Sequence, residues 1–424
     1  MLGATDEKDQ VLSILGLSDT KKSLAEITDG AVRKQKPANK SRPRIGIDAR
    51  VMFFEGSMER GIGQYTMHHI PALAKMLPDW NLVLLVEEPF PNTYIKKLTE
   101  HPNISVELLD RPTKPFDLFH IIDPMSMLPG GDSPYRLFHG PSTSIAYDLI
   151  PIVRRSSHYD NWPVFTQISY ASRLRQIKES GTVLLSISEH TKRDFERVAE
   201  IPANRIVPIM AGLNSAPEAC PSDYEIDQTL RKLNITEPFA LTVGGLDPHK
   251  NFPVTINTIM QVRKTNPIQL VAVGGHSDPY KRTYEEVLVK QGIKDVNFPG
   301  FLSRQELTCV YKRATSLIFP SSYEGFGFPV LEAMANGCPV ISSNSSSLPE
   351  VCGDAAFMFD SENVIGMTQI LIRLINEPQL RAETIAKGLR QAQKFTWEKT
   401  AQKTIQVWES MINRAPASKS VELL

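Results

Sequence analysis

Ser321-Ser322-Tyr323-Glu324-Gly325-Phe326-Gly327-Phe328-Pro329-Val330-Leu331-Glu332-Ala333-Met334-Ala335-Asn336-Gly337 sets two carboxylates around a glycine-rich loop that opens a short helix. Pro329 stands where a first helical turn tolerates a missing N–H, Val330 to Met334 suit a helix, and Gly337 is placed to end it. Such a helix start attracts phosphate through unpaired amides and the positive end of its dipole, while Gly325 and Gly327 allow a ligand close to the backbone. Glu324 precedes the helix and Glu332 lies about one turn inside it, so both can turn toward the hydroxyls of a ribose or a hexose, which carboxylates bind as acceptors. The stretch reads as a site for a sugar joined to phosphate.

Working outward, the stretch sits in a series of short apolar strands: Phe239 to Val243, Gln269 to Val273, Val296 to Phe298, Ser316 to Phe319 and Pro339 to Ser342. An earlier series runs through Ile45 to Asp48, Leu82 to Val86, Val106 to Leu109, Leu118 to Ile121, Ser144 to Asp148 and Val183 to Ser188. Strands alternating with helix-length segments predict parallel sheets covered on both faces. The pattern pauses between residues 214 and about 237, and 424 residues exceed what one core usually serves. The expected architecture is α/β, with two doubly wound Rossmann-like domains facing a cleft into which both present loops. Its parts are an N-terminal extension or linker (1–43), a first domain (44–217), a second domain (218–400) and a C-terminal helix with its tail (401–424).

Composition narrows the function. Lys and Arg number 47 against 47 Asp and Glu, so the chain offers no global attraction to nucleic acid or to an anionic membrane. The basic run Arg33 to Arg42 in the extension is read as a solvated tether, although it could touch phospholipid headgroups. Val11 to Leu17 is weakly amphipathic. Cys220, Cys309, Cys338 and Cys352 fall in no metal-binding spacing and suit the free thiols of a reducing cytoplasm. The longest apolar run is too short to span a bilayer, so the expected location is cytoplasmic, at most peripheral on the inner face of the membrane. Gly61 and Gly63 open a helix but lack the third glycine and the acidic partner of a dinucleotide fingerprint, which argues against a dehydrogenase.

The Glu324 to Gly337 string, with the tail Cys338-Pro339-Val340-Ile341-Ser342-Ser343-Asn344, resembles the C-terminal donor motif of the retaining glycosyltransferases of family 4. The resemblance extends over residues 44 to about 412 and implies the GT-B fold and a nucleotide-diphosphate sugar as donor. The acceptor would be a glycan or lipid-linked glycan. No cofactor is needed, and no metal is implied, because no Asp-x-Asp ends a strand. Tyr147-Asp148-Leu149-Ile150-Pro151, Lys250-Asn251 and the Glu324 loop look most like bacterial polysaccharide and O-antigen transferases that use mannose or a related hexose, which makes GDP-mannose the favoured donor.

The resemblance carries roles onto particular residues. Glu324 would hold the transferred sugar, Glu332 the ribose, and the amides at Phe328, Pro329 and Val330, with Gly325, Phe326 and Gly327, the diphosphate. Lys250 would neutralise the leaving phosphate. The family often has an arginine where Gly245 stands, for which Arg50, Arg60 and Lys192 are candidate substitutes. Gly61 and Gly63 resemble the first-domain loop that closes over the donor. Asp148 stands at the cleft, preceded by Tyr147 where a histidine is common, and His120 or His68 could act in its place. Ser188 is a helix cap or a cleft residue, and Leu348 and Glu350 resemble the segment packed on the nucleotide. Trp397 and the helix through Trp408 resemble the element that crosses back to the first domain. Two alternatives stay open: a nucleotide-sugar epimerase of the same fold, and a noncatalytic domain of a larger assembly.

Overall fold

The computed structural model of the chain describes residues 42–53, 58, 61–87, 92–125, 135, 140–213, 220–274 and 279–414. Most of the expected extension, with its basic run and the Val11 to Leu17 stretch, lies outside the described residues, as do Arg60 and the tail after residue 414.

The strands of the first sheet are β1 (Arg44–Asp48), β2 (Asn81–Val86), β3 (Ile104–Leu108), β4 (Leu118–Ile121), β5 (Ser142–Ala146), β6 (Val183–Ser186) and β7 (Ile206–Pro208). They are parallel and ordered β3-β2-β1-β4-β5-β6-β7. The second sheet comprises β8 (Phe239–Val243), β9 (Gln269–Val273), β10 (Val296–Gly300), β11 (Ser316–Phe319), β12 (Val340–Ser343) and β13 (Phe357–Phe359). These too are parallel, in the order β10-β9-β8-β11-β12-β13. Helices cover both faces, so Ile45, Ile47 and all of Leu82 to Leu85 are sealed from solvent, which is why these strands read as unbroken apolar runs.

Strand order reverses between β1 and β4 in the first sheet and between β8 and β11 in the second. Chains leaving neighbouring strands at such a point diverge to opposite faces and open a crevice beyond the carboxyl ends. The second crevice receives the loop after β8, with Lys250, and the loop after β11, with Glu324.

β5 covers residues 142–146 rather than the expected 144–148. Ser142 and Thr143 look like loop residues in sequence, yet they are buried with hydrogen-bond partners, and Tyr147 and Asp148 are released into the loop beyond the strand.

The chain crosses between domains twice. Leu213 N donates to Phe395 O at 3.1 Å, which joins the outgoing and returning segments. The returning helix spans Trp397–Arg414, starting before the expected residue 401. It packs on the helix Gly61–Met76 and on β4 of the first domain. No helix among the described residues is long and apolar enough to cross a membrane, and no group of three His, Cys, Asp or Glu among them could hold a metal ion.

Candidate active site

Beyond β8 the chain turns at Gly244, whose φ of 123° suits glycine, and runs through the single turn Pro248–Lys250 to Asn251, itself left-handed at φ 55°. That path aims Lys250 back over the ends of β8 and β11. Its Nζ lies 2.7 Å from Glu324 Oε1 and 5.3 Å from the centre of the Phe319 ring. A pocket opens beside it, lined by Gly244, Gly245, Phe252, Lys281, Phe298 and Phe319.

The Glu324 loop is held from behind by serines. Glu324 N donates to Ser346 Oγ at 2.7 Å, and Ser347 Oγ bonds the carbonyls of Glu324 and Phe326 at 2.9 and 2.7 Å. Gly327 caps the helix Phe328–Ala335 with φ 118°, and a Cβ there would sit 2.8 Å from Leu348 Cδ2. Leu348 is fully buried beneath this turn. Pro329 has no N–H and Val330 N closes onto Gly327 O at 3.1 Å, so the expected set of free amides shrinks to those before Pro329.

The first domain meets this loop directly. A Cβ on Gly325 would lie 2.5 Å from Tyr147 O and 2.9 Å from Asp148 Cβ, so glycine is needed for the approach. Thr191 Oγ1 is 3.0 Å from Tyr147 O and 3.1 Å from Gly325 O, spanning the junction. Ser188 caps the helix Glu189–Arg197, accepting from Thr191 N at 2.9 Å. Asp148 Oδ1 accepts from Ile150 N at 3.0 Å. Burial raises the Asp148 carboxyl to about 6; Glu324 adds to the rise and Lys250 opposes it. Asp148, Lys250 and Glu324 therefore share one electrostatic neighbourhood, with one carboxyl from the first domain and an ion pair from the second.

Similarity to known proteins follows the same geometry. A family model described as "Glycosyl transferases group 1" matches residues 225–391, the part of the chain that carries both Lys250 and the Glu324 loop. Residues 225–391 form a glycosyl transferases group 1 domain. The chain is 28% identical over 295 residues to O-antigen chain mannosyltransferase B of Escherichia coli, covering 64% of this chain and 74% of that protein. It is 26% identical over 302 residues to the serotype-specific mannosyltransferase WbdA of Escherichia coli, covering 70% of this chain but 36% of WbdA. Among solved structures, Anabaena Alr3699/HepE in complex with UDP and glucose superposes with a TM-score of 0.65 at 16% identity, over 87% of this chain and 100% of that one. The architecture is GT-B. These similarities do not favour the epimerase or the noncatalytic reading.

Several other candidate residues have partners of their own. Arg50 is buried against Asp48, with Nε 2.9 Å and Nη2 2.8 Å from its two oxygens, and Nη1 reaches Glu87 at 3.3 Å. Lys192 Nζ lies 3.7 Å from Glu196. His120 is buried against the returning helix and bonds Thr143 Oγ1 at 2.9 Å, and His68 stacks on Trp397. Glu332 Oε2 is 3.4 Å from Tyr311 Oη. Glu350 accepts from the amides of Glu189 and His190 at 2.9 and 3.0 Å, which ties the second domain to a helix start in the first. Gly63 has no room for a side chain, since a Cβ would meet Met58 backbone atoms at 2.2 Å; Gly61 has open space. The structure adds Thr191, Ser346 and Ser347 to the site. All three lie in segments whose sequence drew attention, but their partners are far away in the chain.

Proposed function

We propose that the chain transfers mannose from GDP-mannose, with retention of configuration, to a glycan or lipid-linked glycan during polysaccharide assembly, on the cytoplasmic side of a membrane and without a metal or other cofactor. The carrying observation is the Lys250–Glu324 ion pair at the crevice of the second sheet, opposite Asp148. Both mannosyltransferase relatives support the choice of sugar.

Lys250 has three N–H donors, so it can keep Glu324 at 2.7 Å while donating to a phosphate. Glu324, 7% exposed and fixed at both its amide and its carbonyl, would orient the sugar hydroxyls. Charge developing on the departing diphosphate would fall on Lys250 and the amides before Pro329, the kind of preorganised electrostatic contribution that dominates such transfers. Retention follows if the acceptor attacks on the face the diphosphate leaves, the departing phosphate oxygen taking the hydroxyl proton. Asp148 would sit on the acceptor side.

The test is transfer from GDP-mannose by the purified full chain and by Glu324→Ala. The expected result is mannosylated acceptor with the wild type and at least a ~100-fold lower kcat/KM for the variant with unchanged folding, the cost of losing sugar positioning. A fully active variant removes Glu324 from the mechanism. Turnover with UDP-glucose but not GDP-mannose would replace the donor and keep the class.

A further inference from the structure

Lys250 is the one cation that the loop after β8 brings to the donor phosphates, because Gly245 stands where a second charge is expected. His249, directly before it, is 8% exposed, and its Nδ1 has no hydrogen-bond partner. The His249 carbonyl accepts from Ser322 N at 2.7 Å and from Ser321 Oγ at 3.0 Å, which turns the backbone toward the Glu324 loop. The ring reaches the first domain and meets His158, with centroids 5.2 Å apart and planes tilted by 46°. His158 N donates to Arg154 O at 3.1 Å, and Arg154 ends the short helix Ile150–Val153 that begins just after Asp148. Burial, followed by the charges of Lys250, His158 and Arg154, holds the His249 imidazole down at about 3, with Asp247 opposing. A buried ring with an unfilled nitrogen directly beside Lys250 is completed by an anion, which gains a hydrogen bond from the ring and faces the lysine charge.

We propose that His249, His158 and Arg154 form, with Lys250, an anion site that spans the cleft and takes the sugar-bearing phosphate of the donor. The first domain thereby supplies the charge that Gly245 does not. This rests on the donor-site reading above and adds to it that phosphate binding requires both domains.

The test is calorimetric titration of GDP, UDP, GMP and UMP into the full-length wild type, Arg154→Ala, His158→Ala and Arg154→Lys. Arg154 and His158 are half-buried, and thermal unfolding checks that each variant is folded. Whichever diphosphate binds the wild type should bind Arg154→Ala about tenfold more weakly, the loss of one charge-assisted hydrogen bond. The matching monophosphate should change less than twofold, His158→Ala should show the same selective loss, and Arg154→Lys should recover most of the affinity. Equal losses for mono- and diphosphate, or no loss for either, overturn the cross-cleft site while the donor reading stands. A wild type that binds none of the four nucleotides overturns the donor reading and this site with it.

Discussion

Along the returning helix the two domains are joined by buried rings, whereas around the Glu324 loop they are joined largely by polar atoms, beside two ring contacts, Tyr323 on His190 and His249 on His158. Trp408 is sealed from solvent, packs edge-on to His120 at 5.3 Å and donates from Nε1 to Thr143 Oγ1 at 3.0 Å. Thr143 Oγ1 also hydrogen-bonds His120 Nδ1, and Thr404, which donates to Thr400 O, must accept from His69 Nε2. Burial keeps both histidines neutral, so these buried contacts carry no charge. At the loop the contacts are Thr191 to Gly325, Tyr323 Oη to Asp194, and Glu350 to the amides of Glu189 and His190. Apolar burial gives up its stabilisation only when the surfaces part, but a polar contact can exchange with water at a net cost of about 1 kcal/mol. The seam is built to keep the domains together, and the loop contacts are built to be made and broken.

The largest effect expected from breaking this contrast is at the seam. Trp408→Ala should cost about 3–5 kcal/mol of unfolding free energy in a denaturant titration, through lost burial and an uncollapsed cavity. A cost below 1 kcal/mol would show that the helix is not what holds the domains. Next comes Gly325→Ala, which drives a methyl into Tyr147 O and forces the loop off the first domain. Transfer should fall about 100-fold, as misplacement by about 1 Å can cause, while the unfolding midpoint stays near that of the wild type. Loss of activity and fold together would mean that the loop contact also carries stability.

The sheets were legible because parallel strands buried on both faces have no polar alternation to obscure them; Leu82 to Val86 and Phe239 to Val243 are expected and found. β7 and β13 were not foreseen, since edge strands of three residues bury too little to leave a run. The Lys250 and Glu324 loops were readable because each follows its strand at once, and strand order then makes them neighbours. What composition and spacing cannot carry is which partner a side chain meets once the backbone has turned, whether two residues away or more than a hundred. Arg50 looked like a free cation until β1 and the turn after it set it on Asp48. Glu350 looked like a nucleotide contact until the fold brought the helix start at Glu189 to its carboxylate. Ser346 and Ser347 read as one polar run, but Ser346, at φ 52°, aims one hydroxyl at an amide and its neighbour aims the other at two carbonyls.

The contrast also predicts opposite responses to acid. Burial holds His120 down at about 3, so its contribution is complete above its ordinary 6.5 and is lost as pH falls toward 3. Asp148 is raised to about 6, so its contribution is complete below its ordinary 3.8 and is lost as pH rises through 6. Asp148→Asn should therefore gain stability relative to wild type by about 1–2 kcal/mol between pH 4 and pH 7, allowing for the partial exposure of the carboxyl. A gap that does not change with pH would place Asp148 in the ordinary carboxylate range and weaken its electrostatic link to Glu324.

The smallest effect is expected at Glu350. Its carboxylate faces the positive end of the helix Glu189–Arg197, an interaction worth about 0.3–1 kcal/mol at an exposed site and screened by salt. Glu350→Gln keeps the shape and one acceptor but removes the charge. If the contact favours the approach of the domains around the donor, donor KM should rise about two- to fivefold with kcat unchanged, because the energy is lost from assembling the cleft and not from the chemical step. Added salt should raise the wild-type KM toward that of the variant and leave the variant nearly where it was. A KM that falls would instead mean that the contact opposes donor entry, and that the cleft must first release Glu350 before the nucleotide can bind.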